Sequence, residues 1–201
     1  MVNEFKKDIK KIYNAFNDMS KLIRFNTTKK FNGYHDSVLS HTSRVMFLSL
    51  NFASYLKEKH KMNIDMELLM KMAAYHDLAE IKTGDLPAPI KEAHEHVDSL
   101  FKEIEQNFLE EYFDSNFIKE IYDENKLEYK IMKLADKYDV YLQMKLIENN
   151  YPKTSQDYKN VIQTLNNSVS AIKDMEIYKY FKDKIDLKEK VTRKKTQTMS
   201  L

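Results

Sequence analysis

Cysteine is absent from this sequence, and glycine and proline are scarce. The 201 residues include no cysteine, two glycines and three prolines. Disulfides, thiolate metal sites and cysteine nucleophiles are therefore excluded. Folds with many β-turns need glycine for positive φ, and P-loop or Rossmann phosphate sites need several clustered glycines. The scarcity of glycine therefore predicts an all-α protein without a glycine-rich phosphate loop.

The chain also lacks a surplus of charge of one sign and any long apolar run. Its 33 lysine and arginine residues nearly balance 31 aspartate and glutamate residues, giving a net charge of +2. This balance provides no bulk attraction to nucleic acid or to an anionic membrane, so we expect no stable complex with either. No segment approaches the roughly 18 apolar residues of a membrane span, and the N-terminus lacks the apolar core of a signal peptide. These absences favour a cytoplasmic protein.

Apolar residues recur every three or four positions along most of the chain, which is the spacing of amphipathic helices. The predicted helices cover residues 5–23, 37–60, 65–84, 90–112, 116–122, 127–148 and 155–175. Because no internal repeat or linker divides the chain, residues 1–181 are predicted to form one helical bundle. The basic, aromatic-free segment 182–201 is predicted to be a flexible tail.

Histidine and aspartate residues interrupt the apolar faces of three predicted helices, at His41, His76, Asp77 and Asp136. A buried carboxylate without a partner is costly, and no lysine or arginine stands between residues 72 and 81. Taken singly, each residue also has a structural interpretation, such as a hydrogen-bonded core histidine at position 41 or an ion pair between Asp136 and Lys133. Taken together, on inward-facing helices, they predict a metal site in the core of the bundle.

The predicted donor set is mixed, with two imidazole groups and two carboxylates. Such a set favours Mn²⁺, Co²⁺, Zn²⁺ or Fe²⁺ over Ca²⁺ and Mg²⁺, which prefer cages made of oxygen atoms. We therefore expect one divalent transition-metal ion per chain.

The order His41, His76-Asp77, Asp136 resembles the H…HD…D pattern of the HD-domain metal-dependent phosphohydrolases. A longer motif makes the resemblance closest to the bacterial 5′-deoxynucleotidase branch, in which the pair continues as His-Asp-x-x-Glu-x-x-x-Gly-Asp-x-Pro-x-Pro-x-Lys. Residues 76–91 read His-Asp-Leu-Ala-Glu-Ile-Lys-Thr-Gly-Asp-Leu-Pro-Ala-Pro-Ile-Lys. The resemblance covers about residues 5–150. It implies an HD-domain bundle, a nucleotide substrate and a homodimer.

The resemblance also implies roles for residues outside the metal site. Arg24 and Phe25 fall where the family has an arginine and an aromatic residue that contact the nucleotide, although the bacterial enzymes typically have tryptophan after that arginine. Glu80 would position or deprotonate the attacking water. Asp85 would protonate the leaving 5′-oxygen or contact the sugar, and Lys91 would lie near the phosphate.

Three functions are compatible with these motifs. The favoured hypothesis is a phosphomonoesterase that releases nucleoside and phosphate from nucleoside 5′-monophosphates, 2′-deoxy ones in particular. The alternative is a deoxynucleoside triphosphate triphosphohydrolase of the compact phage HD type, which further basic residues near the site, such as Lys82 and Lys91, would favour. The third is a non-catalytic nucleotide-binding module, which the loss of Glu80 or of a metal ligand would have supported; none is lost.

Overall fold

The computed structural model describes residues 2–24, 35–85 and 95–189. The α-helices within these ranges are α1 (Val2–Lys21), α2 (Val38–His60), α3 (Met66–Tyr75), α4 (Glu80–Thr83), α5 (Glu95–Glu110), α6 (Ser115–Ile121), α7 (Leu127–Ile147) and α8 (Gln156–Asp174). Short 3-10 helices follow α7 and α8, at Glu148–Asn150 and Glu176–Tyr180. In this part of the chain no β-strand forms, so the predicted all-α fold is confirmed. None of the described helices combines the length and apolar content needed to cross a membrane.

Serine and aspartate side chains begin several of these helices. At the start of α2, Ser37 Oγ accepts the N–H three residues further on at 3.1 Å. Asp65 Oδ1 does the same for α3 at 3.0 Å, and Asp114 and Ser155 cap α6 and α8. Each cap accepts a hydrogen bond from a first-turn N–H that has no partner within the helix. Such a cap stabilises the helix by about 1 kcal/mol.

The helices pack around two apolar clusters. The larger cluster lies among α2, α3, α7 and α8, with fully buried members that include Val45, Leu69, Leu134 and Leu165. The smaller cluster joins α1 to the segment after α3 and to α5 and α6, through Met19, Val38, Leu78, Leu109 and Ile118. Helix α2 contributes to both clusters, since Val38 belongs to the smaller one and Val45 to the larger.

Polar residues of the predicted site lie at the boundary between these clusters. On α2, His41 stands between the two valines that belong to different clusters. After α3, His76 and Asp77 separate Ala73 of the larger cluster from Leu78 of the smaller one. The predicted site residues therefore lie where α2 and the segment after α3 pass from one cluster to the other.

The prediction of a continuous helix over residues 65–84 is wrong, because a turn interrupts the helix in its middle. Helix α3 ends at Tyr75, a turn covers residues 76–79, and α4 is a single turn that starts at Glu80. In this turn the N–H groups of Leu78 and Glu80 donate to carbonyl oxygens three residues earlier, both at 3.1 Å. Bonds of this span wind the chain more tightly than the four-residue bonds of an α-helix. The predicted His-Asp pair therefore lies in a turn, where helical i, i+4 spacing does not apply.

The C-terminal part of the chain continues past the predicted end of the bundle. Ile185 is buried, and the Tyr141 hydroxyl donates to the Asp186 carbonyl at 2.9 Å. Residues 190–201 of the predicted tail lie outside the described residues, and the domain boundary after residue 181 stays a prediction.

Candidate metal centre

Three elements bring the four predicted metal ligands together. His41 is fully buried on α2, Asp136 lies on α7, and His76 and Asp77 lie on the turn after α3. The Nε2 atoms of the two histidines are 3.4 Å apart. Asp77 Oδ2 lies 3.4 Å from Nε2 of His41 and 3.2 Å from Nε2 of His76, and Asp136 Oδ1 lies 3.3 Å from Nε2 of His41.

The donor atoms have the spacing that a divalent ion imposes on its ligands. Nitrogen and oxygen ligands lie about 2.0–2.2 Å from a zinc ion, which puts neighbouring donors about 2.8–3.6 Å apart in tetrahedral or octahedral geometry. The observed separations of 3.2–3.4 Å fall within this range. Two carboxylates facing two imidazole lone pairs repel one another unless a cation or protons lie among them. The residues present therefore fit a divalent metal ion.

Hydrogen bonds on the far side of each imidazole ring leave both Nε2 atoms available to a metal. His41 Nδ1 is 2.7 Å from Asp139 Oδ2, and His76 Nδ1 is 2.8 Å from the Ala73 carbonyl oxygen. Each acceptor favours a proton on Nδ1, so the lone pair is on Nε2. A carboxylate and a backbone carbonyl thus orient the two rings.

Electrostatics at the centre keep both carboxylates ionised. Burial alone would raise the pKa of Asp77, but the neighbouring His76 outweighs it and lowers the pKa. Burial would also raise the pKa of Asp136, but the positive charge of Lys133 outweighs this effect and lowers the pKa. Lys133 Nζ lies 3.2 Å from Asp136 Oδ2. The centre therefore offers anionic oxygen ligands at neutral pH.

Arg24 places a buried positive charge beside the same centre. It is 8% exposed, and its backbone N–H donates to the backbone carbonyl of Asp36 at 2.8 Å, next to the β-bridge that joins Ile23 to Ser37. Burial would lower the pKa of Arg24, but the charges of Asp77 and Asp85 outweigh it and raise the pKa. The guanidinium is thus held near the predicted metal ligands. Asp85, the predicted proton donor or sugar contact, is close enough for its charge to interact with the guanidinium.

A cavity of about 620 Å³ opens beside the centre. Its walls include His76, Asp77 and the predicted base Glu80, together with side chains from α5, α6 and α7. The volume lies within the range of about 300–1,000 Å³ that is typical of small-molecule sites. Phe25 and Lys91, the other predicted substrate contacts, lie outside the described residues.

Residues 11–188 of the chain match the family model of the YfbR-like 5′-deoxynucleotidases. The chain belongs to this family. Among curated YfbR-like relatives, the 5′-deoxynucleotidase yfbR of Photorhabdus temperata is 35% identical over 71 residues. That alignment covers 35% of this chain and 36% of the relative, so the chain spans about a third of the length of the curated relatives it matches.

Solved structures show the same architecture as this YfbR-like chain. A conserved hypothetical protein from Pyrococcus furiosus is 25% identical, with a TM-score of 0.70 over 86% of this chain and 94% of that protein. An HD-domain phosphohydrolase from Listeria innocua is 22% identical, with a TM-score of 0.66 over 88% and 87% of the two chains. The cyanophage S-2L HD phosphohydrolase DatZ, solved with dA and one catalytic Zn²⁺ ion, is 19% identical, with a TM-score of 0.54 over 85% and 89%. The fold is that of the HD-domain phosphohydrolases.

Sequence analysis of this YfbR-like chain missed three charged residues behind His41. Asp139 is 1% exposed, and Arg44 bridges it to Asp36, which is also buried. Two of the three carry a detectable signal, because Arg44 lies three residues after His41 and Asp139 lies three residues after Asp136. Residues three apart share a face of a helix, so both belong on the side that carries the predicted ligands.

Proposed function

We propose that this protein is a metal-dependent phosphohydrolase that removes the 5′-phosphate from nucleoside 5′-monophosphates, with a preference for 2′-deoxynucleotides. The observation that carries the proposal is the convergence of His41, His76, Asp77 and Asp136, two of which, His76 and Asp77, line a cavity sized for a small molecule. Membership of the YfbR-like family supports the reaction class.

The four donors of the candidate centre would hold the ion. When bound, a divalent ion supplies Lewis acidity to a phosphate oxygen and lowers the pKa of water, which is the chemistry that phosphate-ester hydrolysis needs. Mn²⁺, Co²⁺, Zn²⁺ and Fe²⁺ all suit this mixed donor set.

Arg24 would bind and orient the phosphate. Its planar guanidinium presents parallel N–H donors that match two phosphate oxygens. Because the side chain is 8% exposed, its charge acts in a less polar medium than bulk water, which strengthens its attraction to an anion.

Proton transfer would be divided between two carboxyl groups. In the proposed reaction, a water oxygen attacks phosphorus, Glu80 accepts the proton of that water, and the bond from phosphorus to the 5′-oxygen breaks. Asp85 then protonates the leaving 5′-oxygen or holds the sugar hydroxyl. Phe25 would pack against the nucleoside, and Lys91 would lie near the phosphate.

The charges around the cavity support a monophosphate substrate. Among its described lining residues are the acidic side chains Asp77, Glu80, Glu105, Glu110 and Glu124 and the lysines Lys102, Lys119 and Lys133. This excess of negative charge disfavours the additional charges of a triphosphate. Lys82, which sequence analysis considered as a triphosphate contact, lies with its Nζ 5.3 Å from the centre of the Phe108 ring.

The triphosphohydrolase alternative has support from the three lysines in the cavity wall. Both alternatives use the same metal ligands, and they differ in which phosphorus is attacked and in the leaving group.

Product analysis tests the proposal. The protein is incubated with Mn²⁺ or Co²⁺ and a panel of ribo- and deoxynucleoside mono- and triphosphates. We expect nucleoside and inorganic phosphate from monophosphates, with deoxynucleotides favoured about tenfold, because an unpaired buried hydroxyl costs about 1–3 kcal/mol. His41→Ala should be inactive, whereas His60→Ala, at the exposed end of the same helix, should retain activity.

Other products would lead to different conclusions. Intact tripolyphosphate from deoxynucleoside triphosphates, with monophosphates inert, would establish the alternative. Nucleotide binding without any product would indicate the non-catalytic module.

A homodimer is also proposed for this protein. Phe47 on α2 and Leu146 on α7 are 70% and 71% exposed, and large exposed apolar side chains often mark interfaces. Size-exclusion chromatography with light scattering should give twice the chain mass of 24.0 kDa. The double variant Phe47→Ser/Leu146→Ser should shift the mass towards that of the single chain; a monomeric wild-type protein would contradict the proposal.

A further inference from the structure

A chain of charged groups, in which Asp36 and Asp139 are buried and Arg44 is partly exposed, lies behind His41, on the side of the ring opposite the candidate metal ligands. His41 Nδ1 is 2.7 Å from Asp139 Oδ2. Arg44 donates to the same carboxylate through Nε, at 2.7 Å from Oδ1, and through Nη2, at 3.1 Å from Oδ2. Its Nη1 and Nη2 also donate to Asp36, at 3.1 and 2.7 Å. We call Asp36, Arg44 and Asp139 the support network.

The support network fixes the carboxylate that orients His41. Both oxygens of Asp139 accept from Arg44, so the plane of the carboxylate is set by a rigid guanidinium fork. Asp36 holds the opposite side of that fork in the same two-point manner. The acceptor for the His41 N–H is therefore a carboxylate held in a fixed position.

The same network reaches Arg24, the proposed phosphate ligand. The backbone carbonyl of Asp36 accepts the backbone N–H of Arg24 at 2.8 Å, which ties the two segments together. Arg24 Nη1 lies 4.0 Å from Asp139 Oδ2. The support network therefore contacts both a candidate metal ligand and the candidate phosphate ligand.

Fold stability alone is a weak explanation for this arrangement. Burying an ion pair costs desolvation energy that its Coulomb attraction often only offsets, and apolar residues of similar volume stabilise a core equally well. An ionised carboxylate that accepts the far N–H of a ligating histidine fixes the ring orientation and raises the basicity of the other nitrogen.

We propose that Asp36, Arg44 and Asp139 are positioning residues that hold His41 with its proton on Nδ1 and its Nε2 directed at the metal, and that they thereby set the metal affinity of the site. The inference rests on the proposed metal-dependent function. It adds three residues that act through His41 without contacting metal or substrate.

Metal binding measured without substrate tests the inference. The dissociation constant for Co²⁺ is determined by chelator competition for the wild-type protein and for Asp139→Asn, Arg44→Lys and Asp36→Asn. Loss of such an outer partner typically weakens metal binding about 10- to 100-fold, and we expect this for Asp139→Asn. The visible absorption of bound Co²⁺ should change as well, because the His41 ring is no longer held in one orientation.

Glu128→Gln provides a matched control on the same helix. Glu128 is also buried on α7, but its Oε1 accepts the Asp65 N–H at 2.8 Å, so it supports the start of α3 rather than His41. This variant should lower the melting temperature while leaving the Co²⁺ dissociation constant unchanged. If Asp139→Asn does not fold, Arg44→Lys serves in its place, because it retains the charge while losing the planar fork.

The possible results separate this inference from the function on which it rests. Wild-type affinity for Co²⁺ in Asp139→Asn or Arg44→Lys would overturn the positioning role and leave the metal centre intact. A wild-type protein that binds no Co²⁺ would overturn the proposed function and the inference with it. Weaker Co²⁺ binding in the network variants, with Glu128→Gln unaffected, would support both.

Discussion

At the scale of single residues, the two candidate histidine ligands are oriented by different kinds of acceptor. His41 faces the carboxylate of Asp139, whereas His76 faces the backbone carbonyl of Ala73. A carboxylate adds a full negative charge behind the ring, and a carbonyl adds only a dipole. We therefore expect His41 to be the more basic ligand and the one more sensitive to changes in its surroundings.

Glu80 is the residue whose role is most directly testable by a change that preserves volume. Glu80→Gln removes the proposed base but keeps the shape of the side chain, so turnover should fall about 10²- to 10⁴-fold. Metal content, measured by elemental analysis, should not change. Glu67→Gln, an exposed position on α3, should behave like the wild-type protein. Undiminished turnover in Glu80→Gln would assign the base to another group.

At the scale of elements, the turn between α3 and α4 is what presents His76 and Asp77 to the centre. The turn brings adjacent side chains to one ion, which a straight helix achieves only in a tangential orientation. Helix α4 then ends at Gly84, whose φ of 74° and ψ of 163° are accessible almost only to glycine. The backbone at Gly84 leads directly into Asp85.

Substitution of Gly84 tests the importance of that backbone conformation. Gly84→Ala should lower the free energy of unfolding by about 1–3 kcal/mol, measured by chemical denaturation, because of backbone strain. A steric clash with the described residues is not expected, since apart from its chain neighbours none of them has a heavy atom within 4 Å of the added Cβ.

At Lys61 we expect a substitution to change the free energy of unfolding in the opposite direction. Lys61 has a φ of 54° at the end of α2, so Lys61→Gly should stabilise the protein by up to about 1 kcal/mol. For the Gly84 prediction, equal free energies of unfolding in the wild-type protein and in Gly84→Ala would show that the backbone at residue 84 accommodates alanine without strain.

At the scale of the whole molecule, the candidate metal centre joins the two apolar clusters. Side chains from α2, from the turn after α3 and from α7 meet there, and two of them are ionised carboxylates. A bound cation neutralises these charges and ties the three elements together. Metal binding should therefore contribute to the stability of the entire bundle.

Metal removal tests this coupling. A ligand present at about 1,000 times its dissociation constant stabilises the folded state by about 4 kcal/mol. For a chain of this size, that corresponds to a fall of about 8–16 °C in melting temperature when a chelator removes the ion. Added Mn²⁺ or Co²⁺ should restore the melting temperature of wild-type protein and have no effect on Asp136→Ala. An unchanged melting temperature after verified metal removal would contradict the coupling.

The sequence alone determined the fold class and the candidate ligands. Scarce glycine and regular apolar spacing predicted helices, and two of them begin within one residue of the predicted starts at residues 37 and 65. His41 and Asp136 were identifiable because a polar residue on an apolar helix face requires a partner. These signals are local, since each depends on residues within a few turns of one helix.

Tertiary structure alone decided which charged residues support the site. Arg44 and Asp139 share helix faces with His41 and Asp136, but a charged residue has the same local pattern whether it faces water or a buried partner. The burial of Asp139 and its contact with Arg44 depend on α2 packing against α7, which brings residues 95 positions apart into contact. The turn at residues 76–79 was equally undetermined by periodicity, because apolar spacing does not distinguish backbone bonds that span three residues from those that span four. The order of apolar and polar residues determines which face of each helix is apolar. The packing of helices that are distant in sequence determines which polar side chains come into contact.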